Sequence, residues 1–457
     1  MSEQSIHKSG TDNQSSTLRS RAPQRALLVG VDMPVTDWPV EESLDELAQL
    51  AATAGVDCVD RVTQKLARPH PGTLLGSGKV QEIAELVRFH DCDGVIFDLE
   101  LTPGQHRTLE RELETQVLDR TALILIIFGQ RAHTKEGRLQ VEMAQIEYDL
   151  PRLARQWSHL SRQKGSVQQR GEGEKQIEVD RRMLRREKEQ LQEDLEHVRA
   201  QRQLHRDRRK DVGAPVVALV GYTNAGKSTL LNRLATTSST SSTSSLAEDK
   251  LFATLDPMTR RVRLTGGQEF LLTDTVGFVQ RLPTVLVAAF RATLEEVAEA
   301  DLLVHVVDAA SPHMLNQIKA VEQVLEEIGA GGCPMIVALN KADLLSSDII
   351  QIADVATELP TVRVSALNGT GMDELMRCIS DNLVLQFDAL NVVIPYERGE
   401  LVAQFHQFGT IEEECYEANG THIRGHMPKN HSGPLLAFQW RLIEDEAESR
   451  QNLLGKQ

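Results

Sequence analysis

Apolar and polar positions along this chain switch between a period near two and a period near 3.6, and the switches divide it into regions. After a polar stretch rich in Ser, Thr, Gln and Asn, residues 26–32 (ALLVGVD) form a short apolar run suited to a buried strand. Residues 41–55 carry apolar side chains at helical spacing and stop at Gly55, a natural helix end. The alternation continues: strand 57–66, helix 80–90, strand 94–98, helix 102–114, strand 116–120. Thr102 is placed to cap the last of these helices and Pro103 to occupy its first turn. Strands alternating with helices predict an N-terminal α/β domain over 25–130, preceded by a disordered tail over 1–24.

Residues 131–212 read differently. They are dense in Arg, Gln, Glu and Leu, and a break at GSVQQRGEGE (165–174) separates two long helical stretches. Leu184, Leu191, Leu195 and Val198 fall on one stripe, the pattern of a short antiparallel helical hairpin. Strand and helix alternate again over 213–385. A serine- and threonine-rich insert (236–249) interrupts this region and is too polar to pack. From NVVIPYE onward, residues 386–457 predict a small α+β domain ending in a polar tail. The fold class is therefore α/β and multidomain.

Composition narrows the setting. Hydrophobic residues make up 40% and charged residues 25% of 457, ordinary for a globular chain of two or three domains. The net charge of −16 gives no bulk sign of a nucleic-acid binder. Cys58, Cys92, Cys333, Cys378 and Cys415 are odd in number and scattered, which reads as free thiols in a reducing compartment. The N-terminus has no apolar signal core, and no run of about 18 apolar residues predicts a membrane span. The expected location is the cytoplasm, without integral membrane association.

The strongest chemical motif is GYTNAGKST (221–229), set between the strand VVALV and a helix start. Strand, glycine loop and helix are the context a phosphate-binding loop needs. Backbone N–H groups from about Asn224 to Ser228 then face a β-phosphate, reinforced by the helix N-terminus. Lys227 supplies positive charge to the β- and γ-phosphates, and Ser228 offers a hydroxyl to Mg²⁺. LLTDTVGF (271–278) ends a strand in D-x-x-G: Asp274 can hold Mg²⁺ through water, and the Gly277 N–H can sense the γ-phosphate. In ALNKAD (338–343), Asp343 can accept the guanine N1–H and 2-amino hydrogens together, a pattern adenine lacks. Asn340 can brace base and loop, Lys341 can lie along the ring, and VSALNG (364–369) can turn the Ala366 N–H toward guanine O6. Residues 213–385 are thus predicted to be a P-loop GTPase domain, a mostly parallel sheet flanked by helices.

Between the first two motifs, LFATLDPMTR (251–260) offers Thr254 as the switch threonine for Mg²⁺ and γ-phosphate, with Thr259 as second choice. Many GTPases carry a water-orienting glutamine after D-x-x-G; here the residue is Phe278, which can neither donate nor accept a hydrogen bond. Slow intrinsic hydrolysis, accelerated by a partner, is expected. The Asn224 side chain either braces the loop or helps hold a K⁺ ion beside the phosphates.

At this point GYTNAGKST, FATLDPMTR (252–260), DTVGFVQRLPTVLVAAFRATLEEV (274–297) and NKAD together resemble the HflX family of ribosome-associated GTPases. The N-terminal half agrees, through LLGSGKVQEI (74–83), VIFDLELTPGQHRTLE (95–110), the long run 119–153 and EVDRR (178–182). The resemblance implies a cytoplasmic, Mg²⁺-dependent GTPase that binds GTP and GDP. It implies binding to the large (50S) ribosomal subunit, ribosome-stimulated hydrolysis, and splitting or rescue of stalled ribosomes. Its nucleotide-binding residues carry onto Gly221, Tyr222, Thr223, Asn224, Ala225, Gly226, Lys227 and Ser228; onto Phe252, Ala253, Thr254, Leu255 and Asp256; and onto Asp274, Thr275, Val276 and Gly277. They continue with Asn340, Lys341, Ala342 and Asp343, then Ser365, Ala366 and Leu367. Lys227, Thr254 and Gly277 take the catalytic roles, and Ser228 and Thr254 the metal role. One segment departs from the family: KGSVQQRGEGEKQIE (164–178) keeps Gly165, Arg170, Gly171, Gly173, Glu174 and Gln176 but lacks the leading glycines and the proline.

Charge is unevenly placed. Residues 151–210 hold 17 Lys or Arg against 10 Asp or Glu, in an otherwise acidic chain. That contrast predicts an RNA-facing stripe on the hairpin in place of a solvated face of i,i+4 ion pairs. The resemblance then implies that the hairpin and the N-terminal domain meet ribosomal RNA, in a protein that is monomeric off the ribosome. GSGK (76–79) is half a phosphate loop and reads as a turn ahead of a helix, with a second nucleotide site as the sharper option. Trp157 and Trp440 read as packing residues. Two other functions fit the same motifs: a ribosome assembly factor timed by hydrolysis, and a regulator of a protein partner such as a membrane protease.

Overall fold

The computed structural model describes residues 22–34, 38–156, 170–210, 215–238, 251–252, 257–264, 269–280, 286, 291–345, 359–384 and 387–439. The chain forms two compact units. One comprises Met1–Ala132 with Val141–Lys188, the other His133–Gln140 with Glu189–Gln457.

The first unit is built on four parallel strands, β1 (Arg25–Asp32), β2 (Asp57–Lys65), β3 (Gly94–Phe97) and β4 (Gln116–Asp119), in the order β2-β1-β3-β4. Parallel pairing needs crossover helices, which explains why both faces of β1 are apolar. Helices α1 (Val40–Thr53) and α4 (Arg120–Arg131) pack together, as do α2 (Ser77–His90) and α3 (Pro103–Leu113). The core joins Leu27, Val29 and Phe97 to Val80, Ile83 and Leu109. Thr102 caps α3 in a reciprocal capping box with Gln105, as the T-P-G-Q sequence predicts. GSGK opens α2, where Lys79 pairs with Glu82 at 2.8 Å.

Helix α5 (Lys135–Gln156) and the 41-residue α6 (Arg170–Lys210) carry the hairpin sequence. Lys188 Nζ lies 2.7 Å from Glu147, an ion pair between them. Leu191 and Leu195 are buried while Leu184 and Val198 are half-buried, so the stripe read from the sequence faces inward. Residues 170–174, expected to belong to the break, are instead the first turn of α6, because Glu-rich and Gln-rich sequence around Gly171 and Gly173 sustains the helix. The rest of the break lies outside the described residues, as do Trp157 and Trp440.

The α5 helix is fastened to the first sheet by a buried polar knot. Asp119, fully buried at the end of β4, accepts from the Tyr148 hydroxyl (2.9 Å), the Leu101 N–H (3.0 Å), the Ala122 N–H (2.9 Å) and Arg152 (3.2 Å). The Arg152 guanidinium also lies 3.4 Å from the Tyr148 ring centre. Beside it, burial pushes the Asp149 carboxyl up to about 6, against the opposing charges of Arg152 and His106.

In the second unit a six-stranded sheet runs β10-β9-β8-β5-β7-β6. Its strands are β5 (Val216–Val220), β6 (Met258–Arg263), β7 (Glu269–Asp274), β8 (Leu302–Asp308), β9 (Met335–Asn340) and β10 (Thr361–Arg363). Only the β6–β7 pair is antiparallel. Helices α7 (Lys227–Ser238), α8 (Arg291–Ala298), α9 (Met314–Glu327) and α10 (Met372–Val384) accompany it. The helix α7 extends to Ser238, so the first residues of the predicted polar insert are helical, and 239–250 lie outside the described residues. A third, antiparallel sheet, β11-β13-β12, consists of β11 (Phe387–Ile394), β12 (Thr410–Glu417) and β13 (Gly420–Pro428). It packs with α11 (Gly399–Phe408) and α12 (Lys429–Leu436) around Val392, Ile394, Phe405 and Met427.

Candidate functional site

Four of the predicted nucleotide motifs sit at the carboxyl edge of the six-stranded sheet. The phosphate loop follows β5, Asp274 ends β7, Asn340 ends β9, and Ser365 follows β10. The central β5 is flanked by β7 and β8, so chain connections leave it in opposite directions and open a crevice above it.

The loop itself has a shape only its glycines allow. Gly221 has φ +149° and Gly226 φ +93°; a Cβ would lie 2.2 Å from Val306 O at the first and 2.3 Å from Asn340 Nδ2 at the second. Asn224 is also left-handed, at φ +60°, with its side chain exposed. The backbone is held by a short bridge to the D-x-x-G segment: Thr223 N donates to Phe278 O (2.7 Å) and Phe278 N to Gly221 O (3.1 Å). Tyr222 is buried beneath, its hydroxyl accepting from the Gln280 N–H at 2.6 Å.

Lys227 is buried, donating to Gly221 O (3.0 Å) and Tyr222 O (2.8 Å). Burial lowers its pKa to about 8, with Asp274 acting in the opposite direction. Ser228 Oγ donates to Asp274 Oδ2 at 2.6 Å, which joins an expected metal ligand to the carboxylate expected to reach the metal through water. Gly277 approaches so closely that a Cβ there would sit 3.0 Å from Lys227 Nζ. Thr275 donates to Leu219 O (2.6 Å), and Val276 is buried. Thr223 Oγ1 is buried with no hydrogen-bond partner among the described residues. A glycine-lined concavity, a buried ammonium, a hydroxyl–carboxylate pair and this hydroxyl fit a phosphate chain carrying a hard divalent cation.

On the base side, Asn340 spans two loops: its Nδ2 donates to Ala225 O (2.8 Å) and its Oδ1 accepts from the Ala366 N–H (2.9 Å). The Ala366 N–H expected to meet guanine O6 is thus bonded to Asn340. Asp343 Oδ1 accepts from Ser365 Oγ at 2.5 Å. Lys341, left-handed at φ +61°, pairs with Asp308 at 2.7 Å; Ala342 opens a 3-10 turn, and Leu367 is exposed.

Two sequence expectations resolve differently here. Phe252 is buried at φ +54°, whereas Ala253, Thr254, Leu255 and Asp256 lie outside the described residues. Thr259, the second choice for the switch threonine, is a β6 residue whose hydroxyl lies 3.0 Å from that of Thr273 across the sheet, so cross-strand pairing takes up the group. Two residues went unnoticed. Arg233 on α7 donates from Nε to Ala366 O (3.1 Å) and from a terminal nitrogen to Leu367 O. His305 is buried in β8 beside the loop; burial and the Lys227 charge pull its pKa down to about 4.

Three family models match successive parts of the chain: "GTP-binding GTPase N-terminal" over residues 41–129, "GTP-binding GTPase Middle Region" over 131–209, and "50S ribosome-binding GTPase" over 216–341. The curated "GTPase HflX" of Escherichia coli K12 is 44% identical over 381 residues, covering 83% of this chain and 88% of that protein. That of Lacrimispora saccharolytica is 42% identical over 405 residues, 89% and 94% of the two chains. The chain belongs to the HflX GTPase family. A GTP-binding protein from Sulfolobus solfataricus, solved in complex with GDP, is 23% identical with TM-score 0.43, covering 79% of this chain and 98% of that one. As an HflX-family member the chain is a GTP hydrolase. Among its described residues no helix is long and apolar enough to cross a membrane.

Proposed function

We propose that this chain is a Mg²⁺-dependent, cytoplasmic GTPase that binds the large (50S) ribosomal subunit, is stimulated there, and splits or rescues stalled ribosomes. The observation that carries the reading is Phe278. Its side chain is 1% exposed, in the core with Tyr222 and Val220, so the position after D-x-x-G offers nothing to a catalytic water. The "50S ribosome-binding GTPase" description of the matched family model supports the ribosome as the partner that completes the site.

In the proposed reaction a water attacks the γ-phosphorus as the bond to the β–γ bridging oxygen breaks, giving GDP and phosphate. Lys227 draws charge from the β- and γ-phosphates, and the Gly277 N–H donates to the γ-phosphate. Ser228 and Thr254 would hold Mg²⁺, and Asp274 would assist through a water. The ion, when bound, neutralises charge building on the phosphate oxygens. Asn224, with its exposed side chain and left-handed backbone, is the candidate to hold a K⁺ ion as well. Asp343, Asn340 and the 365–367 loop read guanine. The RNA-facing surface is the hairpin, where Arg182, Arg185 and Arg186 are exposed on α6, together with the N-terminal domain; off the ribosome the protein is a monomer.

The test is GTP turnover with and without purified 50S subunits and 70S ribosomes at two salt concentrations. Strong stimulation that fades with salt supports the proposal. Equal free and ribosome-bound rates would overturn it.

A further inference from the structure

Guanine recognition needs N–H groups beside a carboxylate, here Asp343, aimed at one edge of a flat ring, yet the loop that provides the N–H groups, 364–369, is short and partly exposed. The question is what keeps its peptide planes from turning. A trans peptide points its C=O and the following N–H in opposite directions. Fixing a carbonyl on the outer side of the loop therefore fixes the next N–H on the inner side.

Arg233 fixes two such carbonyls. Its Nε donates to Ala366 O at 3.1 Å and a terminal nitrogen donates to Leu367 O. The first bond sets the plane that carries the Leu367 N–H. The second sets the plane that carries the Asn368 N–H, which donates to Ser365 Oγ (3.3 Å), whose own proton goes to Asp343 Oδ1 (2.5 Å). One guanidinium thus stands behind both an inner-side amide and the orientation of the Asp343 carboxylate. Arginine suits the task, because a planar fork donates along two directions at once and holds each with the strength of a charged donor. Its origin matters too: Arg233 sits less than two turns beyond Lys227 on α7, so the helix whose N-terminus faces the phosphates also braces the base loop.

We propose that Arg233 is a positioning residue for base recognition, ordering the 365–368 peptides so that guanine is preferred over adenine. This rests on the reading of Asp343 and the 365–367 loop as the guanine site. The test measures Kd for GDP and for ADP on the full chain, by displacement of a fluorescent GDP analogue, in wild type and in Arg233→Met, Arg233→Lys and Asp343→Asn. Thermal unfolding of each variant confirms folding. Arg233→Met keeps the aliphatic stem and removes both donors. It is expected to weaken GDP about tenfold, the low end of what a single charge-assisted hydrogen bond contributes. ADP, held through phosphates and ribose alone, should stay within about twofold. Arg233→Lys, able to serve one carbonyl, should fall between, and remains informative if the methionine variant does not fold. Equal losses for GDP and ADP would mean that Arg233 merely supports α7, and would overturn the proposal. So would a wild-type GDP affinity in Arg233→Met alongside a lost GDP affinity in Asp343→Asn. Undiminished GDP binding by Asp343→Asn would instead refute the guanine-site reading itself.

Discussion

Phe278 is the residue at which this site departs from GTPases that carry their own water-orienting glutamine. Because its ring is core, the missing group cannot be supplied by substitution. Phe278→Gln should leave ribosome-free turnover within about twofold of wild type and destabilise the fold by roughly 2–4 kcal/mol through a lost apolar side chain and a buried amide. Basal kinetics and thermal unfolding check both halves. A self-activating Phe278→Gln enzyme would contradict the inward placement. His305 is a second residue with a measurable signature. Burial first and the Lys227 charge second hold its folded pKa at about 4, below the ordinary 6.5. The neutral ring's contribution is therefore complete above pH 6.5 and is lost as pH falls toward 4. Replacing His305 with Asn should flatten the stability-versus-pH curve across that window. The motif residues were legible because their chemistry is local: Lys227, Asp274 and Asp343 stand at fixed offsets from a strand end. His305 and Arg233 were not. A histidine inside LLVHVVD reads as one polar interruption in a strand, and an arginine on a surface helix looks like any solvent-facing charge until the partner loop, more than a hundred residues away, is in place.

At the scale of elements, two devices in the first unit differ in what they hold. The capping box of α3 closes one helix end, so Thr102→Ala should cost about 1 kcal/mol and raise hydrogen exchange only in its first turn. Asp119 gathers two backbone N–H groups, a tyrosine and an arginine from elements far apart in sequence. Removing it takes away the buried carboxylate that Arg152 pairs with and four hydrogen-bond partners at once, and Asp119→Ala should cost roughly 3–5 kcal/mol, with exchange rising across β4, α4 and the middle of α5 together. Comparable exchange in the two variants would refute this ranking. The same contrast explains which elements could be read in advance. T-P-G-Q announces its own cap within four residues, and the strand and helix bounds of the first sheet fall within a few residues of the hydrophobic pattern. The Asp119 knot spans 29 positions to Tyr148 and leaves no periodic trace. The start of α6 was misplaced because two glycines in 170–174 read as a break, while the Gln- and Glu-rich sequence around them continues the helix.

For the whole molecule, the decisive feature is an acidic chain with a basic helix. If α6 meets RNA through Arg182, Arg185 and Arg186, changing all three to Ala should weaken large-subunit binding and reduce the slope of log K against log salt by roughly two to three, near one released counterion for each lost phosphate contact. An unchanged slope in equilibrium sedimentation or filter binding would move the RNA contact elsewhere.

Asn340 carries a consequence of another kind. One amide side chain grips Ala225 O in the phosphate loop with its nitrogen and the Ala366 N–H in the base loop with its oxygen, while its nitrogen stands where a side chain on Gly226 would have to go. The two halves of the proposed nucleotide grip therefore share a single part. On the proposed reading, a lineage drifting toward another base can experiment at Asp343, whose hydrogen bond among the described residues comes from the base loop, but not at Asn340 without loosening the phosphate loop. An engineer who wants this switch to answer to an unnatural nucleotide faces the same restriction at Asn340.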